Sequence, residues 1–286
     1  MDNRTRKLLI YAISPLVFVT LIVWLAVLEH RPDFLMKVSF LDVGQGDAVF
    51  IETYQGTQIL VDGGPSGRVL SELGQQMPFF DRSIDLLILS HADADHVTGL
   101  VEVLKRFEVK KVLISGVVSQ SAVYREFERL LRQKNVEVIV ARQGQRVWLD
   151  NATVFDVYWP EAGSGLDSLA INDASIFGKL IFGKTKILLT GDVASRIEDV
   201  LLPRFNLDAD ILKVGHHGSK SSTSVQLLEE VTPEFSVIQV GKNNSYGHPA
   251  PQVLDNLSSS STTILRNDLD GQINFTSDGT SFKLIK

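Results

Sequence analysis

Apolar residues follow two regimes along this chain. From Leu8 to Leu28 they run on with no charge between them. At about 1.5 Å per residue that stretch matches a bilayer core of roughly 30 Å, which predicts a membrane-spanning helix. After Met36 the apolar residues break into short runs, each closed by a polar or glycine-bearing stretch. Lys37–Val43 alternates as a strand does, Gly44–Gln45–Gly46–Asp47 turns, and Ala48–Glu52 returns. Gln58–Asp62 predicts a further strand ending in Asp62–Gly63–Gly64–Pro65. Arg68–Gly74 predicts a helix, Ile84–Leu89 a buried strand, Val97–Phe107 a helix and Lys110–Ser115 a strand. Ala122–Gln133 carries apolar residues at helical spacing, and Val136–Ala141 is again a strand. This alternation of strand and helix is the pattern of helices covering sheet faces.

From Arg146 the rhythm changes. Arg146–Leu149, Thr153–Trp159, Ala174–Phe182 and Lys186–Thr190 read as strands, with Gly183–Lys184 as a hairpin turn. Ser195–Leu202 predicts a helix and Ile211–Val214 a buried strand running into Gly215–His216–His217–Gly218–Ser219. Helices at Gln226–Val231 and Ala250–Leu257, strands at Phe235–Val240 and Thr262–Arg266, and a hairpin over Gln272–Ile285 complete the chain. The layout predicts two similar halves packed sheet to sheet.

The chemistry gathers where the central strand stops. Ile84–Leu89 is followed by Ser90 and then by His91, Asp93, Asp95 and His96, four potential metal ligands within six residues. An aspartate at such a place is commonly a helix cap. Two imidazoles and two carboxylates on one loop need something positive among them, and divalent metal supplies it. Five of the six histidines, His91, His96, His216, His217 and His248, fall in predicted loops after strands. Asp62, Asp93, Asp95 and Asp192 fall at other strand ends. If those ends share one edge, the residues meet in one site. His30, the sixth, lies at the predicted membrane boundary.

Composition narrows the classes. With 44% hydrophobic and 22% charged residues the chain is globular rather than disordered, and a net charge of −6 argues against nonspecific coating of nucleic acid. The absence of cysteine removes disulfides, thiolate metal sites and cysteine nucleophiles. Arg4, Arg6 and Lys7 precede the long apolar stretch. By the positive-inside rule residues 1–7 are cytoplasmic, 8–28 form an uncleaved anchor, 29–35 a linker, and the domain 36–286 lies outside the cytoplasm.

The segments Phe40–Ile51, Leu60–Gly64, Leu89–Leu100, Asn172–Ile176, Leu188–Val193, Leu212–Ser224 and Asn244–Leu254 together resemble the metallo-β-lactamase fold superfamily. Within it they resemble the C-terminal domain of the ComEC type of DNA-uptake protein. The resemblance implies an α/β fold, an αββα four-layer sandwich, with two divalent metal ions on one edge. It implies that His91 and Asp93 hold one metal, that Asp95, His96 and His216 hold the other, and that Asp192 bridges them. His217 and Asp173 are alternative ligands. Asp62, Asp47 and Asn172 support the ligands from behind, Asp95 and His248 serve catalysis, and Ser219, Lys220 and Lys242 meet substrate, with Lys213 a further cation near the loops.

Two departures stand out. Asp93 replaces the superfamily's usual second histidine, and no histidine occurs between Val97 and Gly215. Oxygen-rich ligation favours Mn²⁺ or Mg²⁺ more than a histidine-only site would, with Zn²⁺ still open. The implied function is a membrane-anchored hydrolase of phosphodiesters, single-stranded DNA foremost. Hydrolysis of esters or lactones and non-catalytic partnership with a separate uptake channel are the alternatives. The partners implied are DNA or another phosphodiester and a lipid bilayer.

Overall fold

The structure is a computed structural model that describes residues 3–29, 34–161 and 169–285. The chain divides into two compact units, Met1–Phe34 and Leu35–Lys286. The first contains one helix, α1 (Asn3–Glu29), with Pro15 inside it. Its side chains are described only at Arg4, Tyr11 and positions 13–24, so much of the predicted span lies outside the described side chains. Among the described residues no helix is long and apolar enough to cross a membrane. His30 and most of the predicted linker also lie outside the described residues.

The second unit opens with β1 (Met36–Phe40), β2 (Val49–Glu52), β3 (Gln58–Val61), α2 (Arg68–Gln76), β4 (Ser83–Leu89), α3 (Ala94–Arg106), β5 (Glu108–Ile114), α4 (Ala122–Lys134) and β6 (Glu137–Val140). It continues with β7 (Arg146–Trp148), β8 (Thr153–Trp159), β9 (Phe177–Phe182), β10 (Thr185–Leu189), α5 (Ser195–Leu201), β11 (Ile211–Lys213), α6 (Val225–Val231) and β12 (Phe235–Ile238). It closes with α7 (Pro251–Ser259), β13 (Thr263–Arg266), α8 (Asn267–Asp270), β14 (Ile273–Ser277) and β15 (Phe282–Ile285). Two sheets result, ordered β15-β14-β1-β2-β3-β4-β5-β6 and β13-β12-β11-β10-β9-β8-β7.

Strand periodicity sorts the core into three layers. In β4, Leu87 and Leu89 join a cluster with Val97, Leu100 and Leu104 of α3 and Phe127 of α4. The intervening Leu86 and Ile88 face the other way, into a second cluster shared with Phe155, Ile187 and Phe275. That second cluster is the seam between the sheets. The third lies outside the second sheet, where Leu188, Leu212 and Ile238 meet Ile197 of α5, Leu228 of α6 and Leu257 of α7. Strands buried on both faces read as continuous apolar runs, which Leu86–Leu89 does. The expected αββα sandwich is the observed one.

Several boundaries differ from expectation in ways that matter for the site. Helix α3 begins at Ala94 rather than Val97, so Asp95 and His96 occupy its first turn rather than a free loop. The polar cluster masks that turn, because apolar periodicity starts only at Val97. The strand expected from Ala174 begins at Phe177, and Asn172–Ala174 forms a short 3-10 turn instead.

Candidate metal centre

β3, β4, β10 and β11 end at the same edge of the sandwich. That edge collects Asp62 from β3, His91 and His96 from the β4–α3 junction, Asp192 beyond β10 and His217 beyond β11. Asp47, just before β2, joins them, since β2 runs opposite to β3. His91, His96, His217, Asp47, Asp62 and Asp192 are all buried.

One carboxylate oxygen organises the centre. Asp192 Oδ2 lies 3.4 Å from His96 Nε2, 3.4 Å from His217 Nε2 and 3.9 Å from His91 Nε2. All three Nε2 atoms are buried without a hydrogen-bond partner. The opposite ring nitrogens are all engaged. His96 Nδ1 is 2.9 Å from Asp62 Oδ2. His217 Nδ1 is 2.9 Å from the Gln239 carbonyl and 3.1 Å from Asp47 Oδ1. His91 Nδ1 is 3.0 Å from the Ser90 hydroxyl. That hydroxyl already donates to Asp62 Oδ2 at 2.6 Å, so it accepts from His91. In its neutral form each ring therefore carries its proton on Nδ1 and presents an Nε2 lone pair to the same point. Buried lone pairs facing one another are costly unless a cation sits among them.

The donor set fits divalent metal. Four groups among the described residues have ligand atoms mutually within 4.8 Å: His91–His96–Asp192, Asp95–His96–His217, Asp47–Asp192–His217 and Asp47–Asp62–His96. Asp95, partly exposed, places Oδ2 3.3 Å from His217 Nε2 and Oδ1 3.9 Å from His96 Nε2. Asp93, also partly exposed, places Oδ2 3.8 Å from His91 Nε2. The first two sets lie side by side, and Asp192 Oδ2 is 3.4–3.9 Å from the Nε2 atoms of both, so the arrangement is that of two adjacent positions with one common carboxylate.

The charges show the same preference for a cation. Burial alone would raise Asp192, but His217, His96 and Lys213 hold it well below the usual carboxylate range. Asp95 is likewise held low against burial by His217 and His96. Burial would lower His217, yet Asp192 and Asp47 lift it to about 10. His96 is raised well above its ordinary value, against burial, by Asp192 and Asp62. His91 goes the other way, to about 3, through burial and the neighbouring His96.

Several expectations change here. His216, expected as the last ligand, is half-exposed and stands in none of the ligand groups; its Nε2 is 3.9 Å from Asp192 Oδ2 and 3.4 Å from Asn172 Nδ2. His217 takes the buried place. The cause is local: His216 and His217 both have left-handed backbone, φ 47° and 54°, which turns the second ring inward. Asp173 likewise stands in none of the ligand groups. It pairs with Arg196 and accepts from the Ala194 N–H at 3.2 Å, at the start of α5.

Lys213, expected near the loops as a cation for phosphate, is instead buried against carboxylates. It is 2% exposed, contacts Asp47, and lies 3.4 Å from Asp192 Oδ1 and 3.0 Å from the Gly191 carbonyl. Asp47 supports the rings of His217 and His96, and Asp62 those of His96 and His91. His248 lies at the rim, its ring 5.7 Å from that of His216, with Nδ1 unpartnered and its basicity lowered by burial and by His216 and His217. Ser219 is buried with its hydroxyl 3.0 Å from that of Ser221, whereas Lys220 and Lys242 are exposed.

Reading the chain alone misses three supports. Gln239 donates to the Leu41 and Ala48 carbonyls while its own carbonyl holds His217. Glu198 accepts from the Thr223 and Ser224 N–H groups at 2.6 and 2.9 Å, bracing the loop after His217. Gly63 and Gly99 touch; a Cβ on Gly99 would lie 1.7 Å from the Gly63 oxygen. The only advance signal is a lysine closing a buried apolar strand, at Lys213.

Comparison with known proteins agrees with this fold. Residues 41–242 match the family model described as the metallo-beta-lactamase superfamily. The chain is 33% identical over 261 residues to ComE operon protein 3 of Bacillus subtilis, covering 84% of this chain and 33% of that protein. It is 27% identical over 253 residues to competence protein ComA of Neisseria gonorrhoeae, covering 86% of this chain and 33% of that one. The chain thus spans about a third of the length of these relatives. Among solved structures, Igni18, a metallo hydrolase of Ignicoccus hospitalis, superposes with a TM-score of 0.53 at 15% identity, covering 84% of this chain and 98% of that one.

Proposed function

The chain belongs to the metallo-beta-lactamase superfamily, and from that premise we propose that it is a metal-dependent phosphodiesterase acting on single-stranded DNA. The observation that carries the reading is the convergence of three bare Nε2 atoms on Asp192 Oδ2. His91 and Asp93 would hold one metal, Asp95, His96 and His217 the other, with Asp192 shared. Bound there, divalent metal would supply an activated water and neutralise charge on a phosphate.

The chain's own residues do the rest. Asp62, Ser90, Asp47 and Gln239 keep each imidazole in the tautomer that presents Nε2. Lys213 holds Asp192 Oδ1, which leaves Oδ2 as the atom turned to the histidines. His248, kept neutral by burial and neighbouring rings, offers a hydrogen bond to a phosphate oxygen rather than a ready proton. The exposed Lys220 and Lys242 suit a polyanionic strand. Competence, named in one relative, is consistent with DNA as the substrate. We further propose that Leu8–Leu28 anchors the domain outside the cytoplasm, on the basis of its uncharged length and the preceding Arg4, Arg6 and Lys7.

The test pairs elemental analysis with a nuclease assay on labelled single-stranded DNA in Mn²⁺, for the wild type and Asp192→Asn. The expected result is bound metal and metal-dependent cleavage in the wild type, both lost in the variant. Bound metal with turnover of esters or lactones but of no phosphodiester would overturn it.

A further inference from the structure

At the sheet end opposite the metal centre, Phe79 and Phe80 are 84% and 70% exposed, their rings 5.5 Å apart and edge to face. They lie between α2 and β4 and belong to none of the three core clusters. Cations at this sheet end are engaged within the domain. Lys105 and Arg106 pair with Glu102 at 2.8 and 2.6 Å, and Lys110 pairs with Asp85 at 2.6 Å. Arg82 lies over the Phe107 ring at 5.5 Å. The two rings themselves are exposed apolar surface.

Topology says what that surface can meet. β1 is antiparallel to β2, β2 to β3, and β3 is parallel to β4, so β1 and β4 point the same way. Met36, which starts β1, therefore stands at the sheet end that carries Phe79 and Phe80, about 14 Å across three strand spacings. The chain before Leu35 joins this unit there. Residues 30–35 extend by at most about 20 Å. On the anchor reading, residues 30–35 are the covalent link between a bilayer that takes Leu8–Leu28 and this end of the domain.

We propose that the Phe79–Phe80 loop docks into the headgroup boundary of the bilayer that the N-terminal segment enters. The proposal rests on the anchor reading above. Docking is apolar rather than ionic, because the neighbouring cations are paired within the domain. The strands are roughly 20 Å long, so the metal centre then faces away from the lipid and takes its substrate from the aqueous side.

The chain has no cysteine, so a single introduced thiol labels uniquely. Full-length Phe79→Cys, Phe80→Cys and Gln120→Cys, each carrying an environment-sensitive fluorophore, are reconstituted into phosphatidylcholine vesicles. Gln120 is exposed and follows β5 at the metal-centre end. Metal content equal to the wild type verifies folding. The expected result is a blue shift and several-fold stronger quenching by lipid-borne nitroxide at positions 79 and 80 than at 120, unchanged by high salt or added anionic lipid. Chains that float with the vesicles but keep the 79 and 80 probes as wet as the 120 probe would overturn the docking and leave the anchor standing. Chains that do not float would overturn both.

Discussion

His216 and His217 are neighbours with opposite situations, and two backbone angles make the difference. Both are left-handed, a conformation that non-glycine residues adopt at a cost of about 1–3 kcal/mol and that clusters at functional sites. The turn buries His217 against Asp47, Asp95 and Asp192 and leaves His216 at the rim. His217→Ala is therefore expected to lose bound metal, while His216→Ala keeps it; elemental analysis of the two purified variants reads the outcome, and equal metal in both would refute the assignment. Lys213 gives a second expectation. Removing one partner of a buried charge pair costs about 3–5 kcal/mol, because the other charge is left uncompensated. Lys213→Met leaves Asp47 and Asp192 in that state, and a dication among them would offset part of the loss. The variant should show a larger gap between chelated and metal-loaded melting temperatures than the wild type. An unchanged gap would mean that Lys213 does not compensate the cluster.

At the scale of elements, the centre depends on how closely α3 sits on the loop after β3. Gly63 and Gly99 meet backbone to backbone, which brings Asp62 to His96. Gly99→Ala must push that helix off the loop. Overpacking of this kind typically costs about 1–3 kcal/mol, and loosening the Asp62–His96 contact should also lower metal occupancy. Urea denaturation and metal titration measure the two effects, and a variant with wild-type values in both would show that the contact is dispensable. Most elements were legible in the chain, because strands buried on both faces and helices buried on one carry distinct apolar periods. Asp62, His91 and Asp192 could be picked out because each is a polar residue just beyond an apolar run, and His96 because it stands in the same polar cluster as His91. The start of α3 was hidden by its polar first turn, and α8 by its four polar-rich residues. The choice of His217 over His216 depends on backbone angles, and the roles of Lys213, Glu198 and Gln239 depend on pairings across long sequence separations, neither of which periodicity reports.

Across the whole molecule, the centre joins the two halves of the sandwich. Asp47, Asp62, His91 and His96 come from the first sheet, and Asp192 and His217 from the second. Metal bound there would add a link at this edge to the apolar seam, and without it the charge balance of the edge rests on proton equilibria. In the metal-free protein, His96 and His217 are raised above the unfolded value of about 6.5. Their stabilising contribution is full below that pH and is lost as pH rises through the folded value, about 10 for His217. His91, His216 and His248 are depressed. Folding favours their neutral form, so their contribution is lost as pH falls below about 6.5. The metal-free domain should therefore be most stable near that pH and weaken on both sides. Metal requires neutral imidazole and displaces the proton from His217, so its affinity rises with pH over the range in which the metal-free protein weakens. Ligand at a hundred times its dissociation constant adds about 2.7 kcal/mol. Denaturation of chelated and metal-saturated protein at pH 5, 6.5 and 9 should show the alkaline loss only in the chelated samples. A metal-free protein as stable at pH 9 as at pH 6.5 would show that His96 and His217 are not held as cations by the carboxylates between the sheets.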